Sequence, residues 1–215
     1  MQLLNGGIFM ANIRNQDQTH KQLLDAGFQA FLKNGFDNTK IREICRDAHR
    51  TTGSFYQHFK SKAEILDEIL EPFLHQLAAE YNEQFKIGMK KIEQQNVQQI
   101  WQQNILNMNG IIKTLNANPK YKELILFKAD GSKYDRLSEI LTKYFTQKII
   151  IAIDTMQEHG IVPISFKFNY QELHFHVFAF YATFVDILKH QYSEAETIML
   201  CNNLYTFFIL VGQLG

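Results

Sequence analysis

The 215-residue sequence predicts an all-α protein. Three observations carry that expectation. Apolar residues recur at three- and four-residue spacing through long stretches. Eighteen Phe and nine Tyr lie within those stretches, which only three Pro interrupt. The glycines fall mostly at candidate helix ends such as Gly35, Gly131 and Gly160. With 46% hydrophobic residues, the chain has ample material for a buried core.

The elements follow in order. Residues 1–17 are expected to be a flexible amino-terminal segment, because Met1 to Phe9 carry no periodic pattern and Met10 is a second candidate start. A first helix is expected from about Gln18 to Asn34, with Leu23, Leu24, Phe28, Phe31 and Leu32 inward and Gly35 as its stop. Ile41, Ile44, Cys45 and Ala48 give a second helix an apolar underside, and Thr39 is placed to cap it. After a turn at Ala48–Thr51 comes a short helix rich in hydroxyl, amide, imidazole and phenol groups. Ser61-Lys62-Ala63-Glu64 forms a capping box for a fourth helix, which Ile65, Leu66, Ile69, Leu70, Phe73, Leu74, Leu77, Tyr81 and Phe85 continue. Pro72 is expected to kink or interrupt it. Further helices are expected at about Asn96–Asn116, Lys120–Ala129, Lys133–His159, Tyr170–Gln191 and Glu194–Gln213. Asn169 with Glu172 and Ser193 with Glu196 repeat the capping-box spacing.

The segment Ala48 to Lys62 reads as a helix-turn-helix that grips DNA, its second helix free to enter a groove. Gln57 pairs bidentately with adenine in geometry and is the best candidate base reader, with Thr52 and Ser54 beside it. Gly53 permits close approach of the backbone, and Phe55 and Phe59 are expected in the core. Residues 14–62 hold nine Lys/Arg against five Asp/Glu, so about four positive charges gather at this end of a chain whose formal net charge is +0.

Leu23-Leu24-Asp25-Ala26-Gly27-Phe28, Phe31, Gly35-Phe36, Thr39, Ile41, Ile44, Ala48, Gly53, Phe55-Tyr56, His58-Phe59, Ser61-Lys62 and Leu66 resemble, position by position, the DNA-binding domain of the tetracycline-repressor (TetR) family of bacterial regulators. The resemblance covers about Thr19 to Leu66 and does not continue beyond it. It implies a three-helix DNA-binding domain at 18–66 and a helical regulatory and dimerisation domain at 67–215. It also implies phosphate contacts for Tyr56, His58, Lys62, Thr39 and Thr51. Where the family usually has Gly then Val, this chain has His49 and Arg50. His49 is then expected to hold a left-handed turn at a cost of about 1 kcal/mol, and Arg50 to reach for a phosphate.

The regulatory domain is expected to hold a small-molecule pocket, on the resemblance and on its aromatic content, with Trp101, Phe127, Tyr134, Tyr144, Phe178 and Tyr181 as candidates; plain core packing is the competing reading. The last two helices are apolar on more than one face, so a partner subunit is expected to cover them, with Phe184, Ile187, Leu204, Phe208 and Val211 at the interface. The TetR resemblance implies the same homodimer.

Other functions find little support. Cys45 and Cys201 have no metal or redox spacing and are expected to be reduced and buried. His174 and His176 are two apart, which a helix points in different directions, so no metal is expected; Asp186 and His190, four apart, suit a helical ion pair. No nucleophile elbow, phosphate loop or zinc-hydrolase pattern is present, so neither catalytic residues nor a cofactor is expected. A membrane span at Ile198–Leu214 is interrupted by Asn202 and Asn203. The expected function is a cytoplasmic, ligand-responsive regulator, a repressor released from a palindromic operator on double-stranded DNA by a small-molecule effector. The alternatives are a regulator of the same fold with no inducer, and a helical small-molecule enzyme.

Overall fold

In the computed structural model, residues 4–94, 108–165, 167 and 169–212 are described, with side chains described among these for residues 16–207. Among them every regular element is a helix: α1 (Leu4–Asn34), α2 (Ile41–Asp47), α3 (Thr52–His58), α4 (Lys62–Glu93), α5 (Asn109–Ala117), α6 (Pro119–Phe127), α7 (Leu137–Glu158), α8 (Tyr170–Lys189) and α9 (Glu194–Gly212).

Helix α1 begins at Leu4, well before the expected Gln18, so the segment expected to be flexible is largely helical. Adding a turn to an existing helix is far cheaper than nucleating one, and no proline lies between Leu4 and Gln18 to stop it. At the other end Gly35 takes φ 78°, and its N–H donates to the Phe31 carbonyl at 2.8 Å. Thr39 does not cap α2. It is buried, and its hydroxyl is hydrogen-bonded to the Gly35 carbonyl at 2.6 Å and approaches the Ala30 carbonyl at 3.2 Å. Lys40 is the N-cap instead, its N–H donating to the Glu43 carboxylate at 3.2 Å.

The turn from α2 to α3 bends at His49, whose φ of 53° is the expected left-handed conformation. There the His49 and Arg50 N–H groups close on the Arg46 and Cys45 carbonyls at 3.0 and 2.8 Å. At α4 the expected capping box is displaced by one residue. Ser61 Oγ accepts from the Glu64 N–H, but the Glu64 carboxylate accepts from Lys60 N–H. Pro72 lies inside α4 without interrupting it. An interior proline costs about 3 kcal/mol, whereas burying each of Ile69, Leu70 and Phe73 returns about 1.5–3 kcal/mol, and all three are buried.

The chain divides into two compact units, residues 1–73 with 123–135, and residues 74–122 with 136–215. The first unit thus runs to Phe73, beyond the expected boundary at Leu66, and Ile69, Leu70 and Phe73 in that stretch are buried. The segment 123–135, expected in the regulatory domain, packs with the first unit. The Phe36 N–H donates to the Lys128 carbonyl at 2.7 Å, and the Lys133 ammonium lies 2.9 Å from Asp67 and 3.1 Å from Glu71. Helix α7 accordingly starts at Leu137 and not at Lys133. The core of this unit comprises Leu23, Phe31, Ile44, Phe55, Phe59, Ile65, Leu66 and Leu70.

In the second unit α8 packs against α7 and α9, and α9 against α5. An aromatic cluster forms its core. Phe145 stacks on Tyr181 at 4.2 Å and stands edge-on to Tyr81 at 4.6 Å, with Tyr144 and Phe85 flanking Tyr81. Ser193 and Glu196 make the full capping box expected at α9, and Asn169 caps α8 by accepting from the Gln171 N–H.

Candidate nucleic-acid interface

Helix α3 owes its place to alternation of core and surface residues over two turns. Phe55 and Phe59 are buried, as expected, while Thr52, Gly53, Tyr56 and Gln57 are exposed and Ser54 and His58 are half-buried. Thr51 starts the helix, its hydroxyl oxygen accepting the Ser54 N–H at 3.1 Å, which leaves the hydroxyl hydrogen free to donate outward. Tyr56 is 61% exposed, its ring edge-on to Phe55 at 5.3 Å. The exposed face therefore carries Gln57 between small hydroxyls and a phenol, a set that donates to and accepts from base edges and phosphates.

Three expected phosphate contacts are otherwise engaged. Thr39 is buried, as described. The Lys62 ammonium donates to the carbonyls of Phe36, Asp37 and Thr39 at 2.6, 2.9 and 3.1 Å and lies 4.5 Å from the Phe36 ring centre. It gathers the carbonyls of the α1–α2 turn, which have no helical partners and attract a cation. Arg50 turns back to α1, its Nε and Nη2 donating to Gln22 Oε1 at 3.1 and 2.6 Å.

The sequence reading overlooked two residues of α1, Gln22 and His20. His20 Nε2 lies 2.6 Å from Glu68 Oε1, and its ring stacks on Phe59 at 4.5 Å and stands edge-on to His58 at 5.7 Å. The signal was present: His20, Leu23, Leu24 and Gly27 share one face at helical spacing, which places an imidazole at the edge of the core. Burial, then the neighbouring His20, then Arg50 hold the His58 imidazole below its ordinary pKa.

The expected effector residues do not form one group. Trp101 lies outside the described residues. Phe127 and Tyr134 belong to the first unit, the former half-exposed and the latter buried. Tyr144 and Tyr181 sit in the aromatic cluster of the second unit, where the Tyr144 hydroxyl donates to Asn82 Oδ1 at 2.8 Å. Phe178 instead lines an open groove of about 600 Å³ with Glu139, Ile140, Lys143, Tyr170, His174 and Phe175. On α8 Phe178 is 38% exposed, at the edge of the buried face that holds Tyr181.

At the expected dimer surface, Phe184 is 3% exposed within its own chain, Ile187 and Leu204 are half-buried, and the side chains of Phe208 and Val211 lie outside the described residues. The outward apolar residues of these helices are Phe175, Phe178, Met199 and Phe207. Both cysteines are free and buried, and burial raises both thiol pKa values. Asp186 and His190 stand 3.9 Å apart, as their spacing predicts. Among the described residues no group of three His, Cys, Asp or Glu side chains is placed to hold a metal, and no helix is long and apolar enough to cross a membrane.

These features define an all-helical protein with an amino-terminal helix-turn-helix. Residues 23–69 match the family model described as bacterial regulatory proteins, tetR family. The chain is 38% identical over 68 residues to the HTH-type transcriptional repressor KstR2 of Rhodococcus jostii, covering 32% of this chain and 33% of that protein. It is 35% identical over 54 residues to the regulator AcrR of Shigella flexneri, covering 25% of each. The similarity to KstR2 thus spans about a third of that relative's length. The fold extends further. A transcriptional regulator FadR from Bacillus subtilis, solved in complex with stearoyl-CoA, superposes with a TM-score of 0.56 at 14% identity over 87% of this chain and 96% of that one. The fatty acid degradation regulator FadR from Bacillus halodurans gives 0.55 at 16% identity over 88% and 94%.

Proposed function

We propose that this chain is a transcriptional regulator that binds a palindromic operator on double-stranded DNA as a homodimer and is released by a small-molecule effector. The observation that carries the reading is the exposed face of α3, where Thr52, Tyr56 and Gln57 stand clear of a core pinned by Phe55 and Phe59. Gln57 reads a base edge with Thr52 and Ser54 beside it, Gly53 lets the backbone approach the duplex, and Thr51, Tyr56 and His58 fix the helix on phosphates. Arg50 and Lys62 hold the domain in shape, and Thr39 supports the turn between α1 and α2.

The effector belongs to the second unit. Its aromatic core, with Tyr144 and Tyr181, supports this reading, as does the FadR neighbour bound to stearoyl-CoA. Selection of binding sites from random duplex DNA tests the whole: the recovered sequences should be two-fold symmetric. On the selected site Gln57→Ala should cost about 1–3 kcal/mol at one base-pair position while sparing binding to random DNA. Equal losses on both would remove Gln57 as the base reader, and failure to recover any sequence would overturn the function.

A further inference from the structure

Histidine 20 lies on α1, outside the helix-turn-helix motif, yet it touches all the parts that fix the outer end of α3. Its Nε2 meets the Glu68 carboxylate on α4 at 2.6 Å. Its ring stacks on Phe59 at 4.5 Å with 24° between planes, and its edge faces the His58 ring at 5.7 Å. A carboxylate only accepts, so the proton on Nε2 points to Glu68 and the ring orientation is set from outside α3. His20 is thus clamped by an anion on one side and an aromatic face on the other, at van der Waals range of the last side chain of the recognition helix.

We propose that His20 is a positioning residue for DNA binding that acts through His58, setting both the ring's place and the pH at which it carries charge to a phosphate. The proposal rests on the DNA-binding reading of α3. The charged and titratable groups around His58 are His20 from α1, with Glu68 of α4 behind it, and Arg50 from the α2–α3 turn; Phe59 contributes an apolar ring. Positive charge on His20 or Arg50 opposes a second positive charge on His58, and burial acts in the same direction. A DNA phosphate acts the other way, because it favours imidazolium over imidazole. Binding therefore takes up a proton at His58, and affinity rises as pH falls through its titration range. His20, with its ring 5.7 Å from that of His58, therefore displaces that range toward acid pH.

The test uses the full-length protein and a 30-base-pair duplex of arbitrary sequence at low salt, with affinity read by fluorescence anisotropy from pH 5.5 to 8. Native protein should gain about three- to tenfold in affinity toward acid pH. His58→Gln should lose that component, and the difference between the two profiles isolates His58 from the exposed His49. His20→Phe keeps a ring on Phe59 and His20→Gln keeps a hydrogen-bonding group for Glu68; neither carries charge. Both should move the midpoint upward. A midpoint unchanged in both variants, whatever happens to affinity or thermal stability, reduces His20 to packing and overturns the proposal. A His58→Gln profile identical to native overturns it as well. Absence of duplex binding by the native protein at any pH would instead bring down the DNA-binding reading on which it rests.

Discussion

The ammonium of Lys62, the first residue of α4, sits 2.6 Å from the carbonyl oxygen of Phe36, twenty-six residues earlier and across the fold of the first unit. Two more carbonyls of the same turn, those of Asp37 and Thr39, complete its contacts. The position that the family resemblance marks for phosphate contact is here a brace between the α1–α2 turn and the start of α4. Lys62→Ala should lower stability by about 1–2 kcal/mol, a few degrees in Tm. The slope of log affinity against log salt should stay close to native, because no counterion is released through a lysine already held by the protein. A slope shallower by about one would restore Lys62 to the DNA contacts.

His49 is the described residue other than glycine with positive φ. Its side chain is exposed and contributes nothing to the core, so the left-handed conformation is a cost that the hydrogen bonds at Arg46 and Cys45 offset. His49→Gly should relieve about 1 kcal/mol of backbone strain, less the extra chain entropy that glycine gives the unfolded state. A rise of a few degrees in Tm, with duplex binding retained, is the expected result. A fall would mean that the imidazole has a stabilising role absent from these contacts.

This turn illustrates what can be read from a sequence. The left-handed bend at His49 was legible because the family resemblance puts a glycine at that position, and the burial of Phe55 and Phe59 was legible because helical period alone decides it. The engagements of Arg50, Lys62 and Thr39 were not. Each depends on which carbonyl or amide, from 4 to 28 residues away, arrives beside the side chain, and periodicity carries no such information. The same limit explains the aromatic residues: Phe127, Tyr134, Tyr144 and Tyr181 look alike in sequence, yet the return of residues 123–135 to the first unit separates them.

Tyr181 offers a second stability test. Its ring is stacked on Phe145, and its hydroxyl is buried without a hydrogen-bond partner. Burial, followed by the influence of Tyr81 and Tyr144, raises its pKa well above the ordinary phenol value, so it stays a neutral donor at any physiological pH. An unmet buried hydroxyl costs about 1–3 kcal/mol. Tyr181→Phe should leave Tm unchanged or raise it in the ligand-free protein. A drop of more than a few degrees would reveal a partner for the hydroxyl within the folded chain.

The dimer surface can be tested by contrasting buried and exposed apolar positions on the last two helices. Phe184 is covered by its own chain, so Phe184→Asp should unfold the second unit by burying a charge, at a cost of several kcal/mol. Met199 and Phe207 on α9 are 53% and 60% exposed, and Phe175 on α8 is 69% exposed. Large side chains left in water on adjoining helices are suited to cover by a second copy. Met199→Asp and Phe207→Asp should therefore keep native helicity and Tm within a few degrees while sedimenting as monomers. Each monomer reaches a single half-site, so operator affinity should fall steeply with binding to the half-site preserved. Dimers in both variants would place the interface elsewhere on the chain, and monomers that lose helicity would show that these side chains support the fold of their own subunit.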